Sequence, residues 1–414
     1  MPFLGERSHT IRHSLWMVIS TLAFIWLSTD IHADTNNTAA TSDNSELLID
    51  LLYIEQRIER PPVLSNLVSR PEDEGIQGAA LGVSDNNTTG RFIGNRYTLN
   101  SIIFESVEPD ESTLAAIRAE LAKGARLVVL NLPARLITQV ADMSEASDDL
   151  LFNAQSKNNE LRNELCRANV FHTAPSRAML SDALMQFFAL RKWKQIFLIE
   201  GNRAGDKAFA DSIRQSVVKF GLNIVDDKRW IEDADMRRNA SREVPVFTQS
   251  RKYDAVVVVD EDQDFSQYIL YNTWLPRPVA GSAGLTPVAW SPVIEQWGAA
   301  QLQSRFGKLA SRNMTSRDYA NWVAVRAIGE AVTRIQNTQP KRIRQYLLSD
   351  DFELGGFKGT SLSFRGWNGQ MRQSVQLVHA KAVVASAPIE GFLHARTELD
   401  TLGLDSPNTQ CSVF

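Results

Sequence analysis

Cysteine and histidine are scarce: the 414 residues hold two cysteines and six histidines. There is no C-x-x-C pair and no H-E-x-x-H, and His172, His379 and His394 lie far apart, so neither a zinc site nor a dithiol redox site is expected. A G-x-S-x-G elbow and a Walker loop are also missing. GIQGAALG (75–82) has glycines at the wrong spacing for a dinucleotide loop and reads as the start of a helix. No cofactor and no catalytic constellation are therefore expected. Positive charge is not in excess: 44 basic residues are scattered among 48 acidic ones, for a net charge of −4. That balance excludes a phosphate-binding stripe, and nucleic acid is not an expected partner.

Long apolar runs are confined to the N-terminus. Arg7 and Arg12 precede an apolar stretch from Leu15 to Leu27, and small Ala33 stands at a cleavage position before Asp34. The stretch falls short of the about 20 residues of a spanning helix, so residues 1–33 read as an export signal. A retained N-terminal anchor is the alternative. Residues 34–46 are small and polar, a disordered lead-in. The mature chain is expected outside the cytoplasm, in an oxidising compartment where Cys166 and Cys411 can form a disulfide tying the C-terminal tail to the body. Two free thiols are the other possibility.

Beyond residue 46 the chain is rich in core-forming residues. Apolar content is 43% and charged content 22%, values of a folded protein large enough for two domains. Short apolar strands alternate with helices: LLIDLLYI (47–54), YTLNSIIFE (97–105), RLVVLNL (126–132), QIFLIE (195–200), LNIVDDKRW (222–230) and DAVVVVDED (254–262). Between them, Leu114, Ile117 and Leu121 share a helical face that Ser112 is placed to cap. Met179, Ala183, Phe187 and Leu190 share another, as do Phe209, Ile213 and Val217. Tyr319, Val323, Ala327, Ala331 and Ile335 line one side of a helix over 316–337. The region through Arg242 reads as a polar stretch, and Asn368-Gly369 as a two-residue hairpin turn. Such alternation predicts an α/β fold with parallel sheets covered on both faces.

One acidic cluster resembles half a calcium loop: Asp260, Asp262 and Asp264 alternate in DEDQD. Phe265 occupies the sixth position, where glycine is needed, and Tyr271 the twelfth, where glutamate is needed. An EF-hand is excluded. The cluster reads either as a solvated loop or as a ligand contact at the carboxyl end of a strand.

The order of these segments resembles the type I periplasmic solute-binding proteins of ABC transporters, the Leu/Ile/Val-binding group, over residues 47–395. The resemblance is carried by ANVFHTAPS (168–176), QIFLIEGNRAGDKAFADSIRQ (195–215), YANWVAVRAIGEAV (319–332) and SLSFRGWNGQMRQSVQLV (361–378). More narrowly, CRANVFHTAPSRAML and the ending LDTLGLDSPNTQC resemble a branch associated with PQQ-dependent alcohol oxidation. The resemblance implies two Rossmann-like lobes, 47–172 plus 292–360 and 173–291 plus 361–414. Three crossovers near 171–176, 285–292 and 361–366 would join them. A small solute would sit in the cleft, and a monomer would present the closed state to an ABC permease in the inner membrane. Carried onto this sequence, the ligand loops place Arg70, Gln155, Ser156, Lys157, Asn202, Arg203, Asp260 and Trp290 at the cleft. Ala204-Gly205 replaces a Tyr-Gly pair of the relatives, and Ala283 stands where amino-acid binders carry an acid. Arg70, Lys157 and Arg203 then suit an anion or a polyhydroxylated acid better than an α-amino acid. Trp274, Trp290 and Trp367 stack a ring or fill the core. A sensor or accessory protein on the same fold is the competing function, and a hydrolase or oxidoreductase on a degraded scaffold is a remote third.

Overall fold

The computed structural model describes residues 46–58, 70–124, 126–230 and 236–414. The export signal and nearly all of the lead-in lie outside them. Two parallel sheets organise the chain, and their inner strands, Leu127–Asn131, Gln195–Glu200 and Ala255–Val259, carry side chains that are largely apolar and buried on both faces. The first contains β1 (Leu47–Gln56), β2 (Asn95–Phe104), β3 (Leu127–Asn131), β4 (Leu150–Asn153) and β5 (Val170–His172), in the order β2-β1-β3-β4-β5. Helix α1 (Ile76–Gly90) covers one face, and α2 (Glu111–Leu121) and α3 (Ala134–Ala141) cover the other. Asp110 caps α2 by accepting from Thr113 N, two positions before the expected Ser112, whose hydroxyl donates to Asp110 instead.

Helix α4 (Arg177–Leu190), capped by Ser176, begins the second lobe. β6 (Gln195–Glu200), α5 (Ala204–Lys219), β7 (Asn223–Arg229), α6 (Met236–Phe247), β8 (Ala255–Val259), the short α7 (Ser266–Ile269) and β9 (Val279–Gly281) come next, with strand order β7-β6-β8-β9. The polar stretch through Arg242 is largely α6. Ala240 and Val244 repeat at helical spacing and pack on Val256, Val258 and Trp230, and Pro245 sits in the last turn.

The chain then returns. β10 (Thr286–Val288) lies in the second lobe, but Ala289 and Trp290 already belong to the first lobe's core. α8 (Ala299–Ala310), α9 (Ser316–Ile335), α10 (Pro340–Leu347) and the antiparallel β11 (Leu354–Gly355), β12 (Ser361–Phe364) and β13 (Met371–Arg372) complete that lobe. Finally β14 (Val375–His379) and β15 (Ala382–Ala387) pair beside β10. The third crossing therefore falls at Gln373–Ser374, later than the expected 361–366. Leu362, Phe364 and Met371 are the cause, because they belong to the first lobe's core, where the Phe364 ring packs on Phe152 and Phe171 of the first sheet. The turn at Asn368-Gly369 is correspondingly wider than two residues, closed by Arg365 N donating to Gln370 O.

Helices α1 and α9 pack backbone against backbone. A Cβ on Gly78 would stand 1.9 Å from the Asp318 carbonyl oxygen, and one on Gly82 2.7 Å from Val325 Cβ. Gly78 and Gly82 thus serve helix contact, whereas Gly75 faces Asn131 and Tyr53 of the first sheet. Cys166 and Cys411 form a disulfide, their Cα atoms 5.7 Å apart. Phe414 packs beyond it against Phe171, so the tail ends on the first lobe. Among the described residues no helix is long and apolar enough to cross a membrane.

Candidate functional site

The carboxyl ends of both parallel sheets face a common seam, where open α/β sheets bind ligands. Buried Asn153, the last residue of β4, shapes the first wall. Its Oδ1 accepts from Gln155 N and Ser156 N, and its Nδ2 donates to Ser156 O and meets Nδ1 of His172 at 3.0 Å. Burial holds His172 well below its ordinary pKa, so the ring is neutral. This network folds residues 154–157 into a tight loop that presents Gln155 and Lys157 to a cavity of about 220 Å³. Ala174, Pro175, Leu180, Pro287, Val288 and Ala289 give the cavity an apolar floor, and Arg70, Glu74, Thr286, Ser316 and Arg317 supply the rest of its lining. The Oε1 of Gln155 is buried without a partner among the described residues. Arg317 pairs with Glu74 at 3.3 Å.

Glu261, from the loop after β8, closes the seam. It accepts from Arg177 at 2.6 Å and lies 3.7 Å from Lys157, while its backbone oxygen accepts from Arg70 at 2.7 Å. Arg177 also donates to Asn158 Oδ1, so the first turn of α4 is tied to the opposite wall. Burial pushes the Glu261 carboxyl upward, but Lys157, Arg177 and Arg70 together outweigh burial and hold it below the ordinary value.

The expected site residues separate into three groups. Arg70, Gln155 and Lys157 meet at the cavity. Ser156 is buried beside them, its hydroxyl donating to Asn158 Oδ1. Asn202 and Arg203 stand at the N-terminus of α5 outside the cavity lining, where Asn202 donates to Trp230 O and Arg203 pairs with Asp262 and Asp264. Two residues need correction. Asp260 is fully buried and accepts from Asp264 N, Phe265 N and Ser266 N, so its carboxylate holds its own loop together. Trp290 is 2% exposed and stacks on Tyr319 at 4.9 Å, a core residue whose neighbour Ala289 lines the cavity. Of the other tryptophans, Trp274 is exposed and Trp367 lies beside Arg365 and Arg372.

The three expected cations are met by Glu261, Asp262 and Asp264. Glu261, whose carboxylate pairs with Arg177 and Lys157, was hidden at an even position of DEDQD. Arg177 was hidden as an ordinary first residue of a helix.

No protein-family model and no curated protein matches the chain in sequence. Solved structures match it in shape. A branched-chain amino acid ABC transporter periplasmic ligand-binding protein from Burkholderia xenovorans superposes with a TM-score of 0.68 at 13% identity, over 88% of this chain and 99% of its own. A leucine-, isoleucine-, valine-, threonine- and alanine-binding protein from Brucella ovis, in its closed conformation, gives 0.64 at 15%, over 83% and 92%. A periplasmic binding protein from Burkholderia mallei gives 0.63 at 14%, over 88% and 99%. Similarity at this depth shows the fold: this chain has the two Rossmann-like lobes and three crossovers of the type I periplasmic binding architecture.

Proposed function

We propose that this protein is the periplasmic solute-binding component of an ABC-type uptake system, without enzymatic activity, and that it holds a small solute between its lobes for a membrane permease. One observation carries the reading. An interlobe cavity at the carboxyl ends of the sheets is lined by Arg70 and Lys157 of one lobe, and both reach Glu261 of the other, Arg70 at its backbone oxygen and Lys157 at its carboxylate. Such a bridge lets a guest stabilise the closed lobes through contacts to both. The solved neighbours with this fold are described as binding proteins, among them amino-acid binders. Here Ala283 and Ala204-Gly205 remove two groups that an α-amino acid would use, and the apolar floor with its basic rim suits a small organic acid. The link to PQQ-dependent alcohol oxidation rests on the resemblance of residues 166–180 and 399–411 alone.

The test is a thermal-unfolding screen of small organic acids, alcohols, aldehydes and the common amino acids. A solute at 100 times its Kd stabilises by about 2.7 kcal/mol, and Gln155→Ala should abolish that gain. Stabilisation by branched-chain amino acids only would overturn the choice of solute. Stabilisation by none of these compounds would overturn the binding function.

A further inference from the structure

The tail beyond β15 starts on one lobe and ends on the other. Leu402 is buried in the second lobe's core. Phe414 packs on the first lobe, its ring 5.7 Å from Phe171 and 5.2 Å from the Arg344 guanidinium of α10. In between, the tail crosses from lobe to lobe, and Cys411 bonds its far end to Cys166 in the loop between β4 and β5. Gln410 N donates to Asn163 Oδ1 of the same loop at 2.6 Å.

Residues 399–403 are gripped from both sides. From the first lobe, Arg365 donates to Leu399 O at 3.1 Å and to Leu402 O at 2.7 Å. From the second, Lys219 of α5 donates to Thr401 O at 2.8 Å and to Gly403 O at 3.2 Å, and Asp182 of α4 accepts from Gly403 N at 2.7 Å. Successive groups of one short segment thus answer to opposite lobes. Asp400 fastens the first-lobe side, because Arg365 and Arg372 both pair with its carboxylate at 2.9 Å. The Arg365 and Asp400 side chains are 1% and 4% exposed. Such a pair resists separation, since pulling one partner away leaves the other charge buried and uncompensated. The clasp lies at the hinge: a Cβ on Gly403, which has φ +82°, would stand 3.4 Å from Oγ of Ser176 at the end of the first crossover.

Rotating the lobes apart requires one set of these bonds to break. The disulfide opposes that, because a tail anchored at both ends stays at high local concentration over the hinge and rebinds at once. We infer that residues 399–411 form a strap, a fourth connection between the lobes that limits how far the cleft opens. The inference rests on the hinge closure proposed above and on no choice of solute.

Small-angle scattering of the solute-free mature protein tests this in a Glu261→Gln background, where the seam charges no longer draw the lobes together. Cys166→Ser/Cys411→Ser should give a larger radius of gyration than Glu261→Gln alone. So should Lys219→Ala, which keeps the disulfide and frees Thr401 O and Gly403 O. In the variant without the disulfide, amide exchange at Gly403 and Gln410 should quicken by about tenfold or more while the amides of β6 and β8 stay protected. Should β6 and β8 lose protection as well, the Lys219→Ala comparison decides. Equal radii would overturn the strap even where the melting temperature falls, since the disulfide would then stabilise the fold without limiting the lobes. No solute enters the experiment, so its failure leaves the solute-binding reading untouched, and an empty unfolding screen leaves the strap untouched.

Discussion

Lys358 is a buried ammonium at the meeting point of the crossovers. It donates to Ala289 O of the second crossing and to Gln373 Oε1 and Ser374 O of the third, while Gln373 Nε2 reaches Thr173 O of the first. The ring of Tyr319 on α9 lies 4.8 Å from the ammonium, and burial raises that phenol so that it stays neutral. Burial lowers Lys358 from its ordinary value to about 7. Between about pH 7 and 10.5 the unfolded chain holds a proton that the folded chain has released, so this group makes stability rise with pH, by up to about 1.4 kcal/mol per unit. Below about 7 both states are protonated and the contribution is flat. Denaturant unfolding at pH 7 and 9.5 should give a smaller rise for Lys358→Met than for the parent. Equal rises would show that Lys358 is not the titrating group. Nothing in FELGGFKGTS marked this lysine, because its surroundings come from three distant segments. Asp260 misled for the opposite reason: its local pattern was ligand-like, yet its carboxylate is used up by backbone N–H groups within six residues.

Elements were far more legible than sites. Strands β1, β6 and β8 are short runs of buried side chains, and helices α4, α5 and α9 carry period-3.6 stripes, both of which depend only on neighbours in sequence. α6 escaped because its first half is dominated by charge, and the apolar pair Ala240 and Val244 becomes meaningful only against β8. The glycines of α1 were legible as helix but not as contact. Gly78 and Gly82 face α9 at distances no side chain tolerates, and the opposing atom at Gly78 is backbone, which cannot rotate away. Gly78→Ala should therefore destabilise by about 3 kcal/mol, the upper end of overpacking. Gly355→Ala, where an added Cβ meets nothing within 4 Å, should stay within about 0.5 kcal/mol of the parent. Thermal or denaturant melts of the two variants decide this, and equal stabilities would mean that α1 and α9 can separate at little cost.

For the whole molecule, the order of alternating elements revealed a two-lobed plan, whereas the crossing points depended on which core each strand joined. Phe364 looks alike for either lobe until its ring is placed against Phe152 and Phe171. The same contrast governs closure. Arg70 and Lys157 were readable as cations of the first lobe, but their partner came from residue 261 of the second. Because Glu261 titrates below the ordinary carboxylate value of about 4.3, its bridge should be intact above that pH and fail only as pH falls below it. Glu261→Gln removes the charge at every pH and leaves Lys157 and Arg177 facing each other across the seam. Small-angle scattering at pH 7 should then show a larger radius of gyration for Glu261→Gln than for the parent, with the parent approaching the variant only as the pH is taken well below about 4.3. If the two coincide at pH 7, packing at the crossovers sets the lobe separation and the seam charges do not.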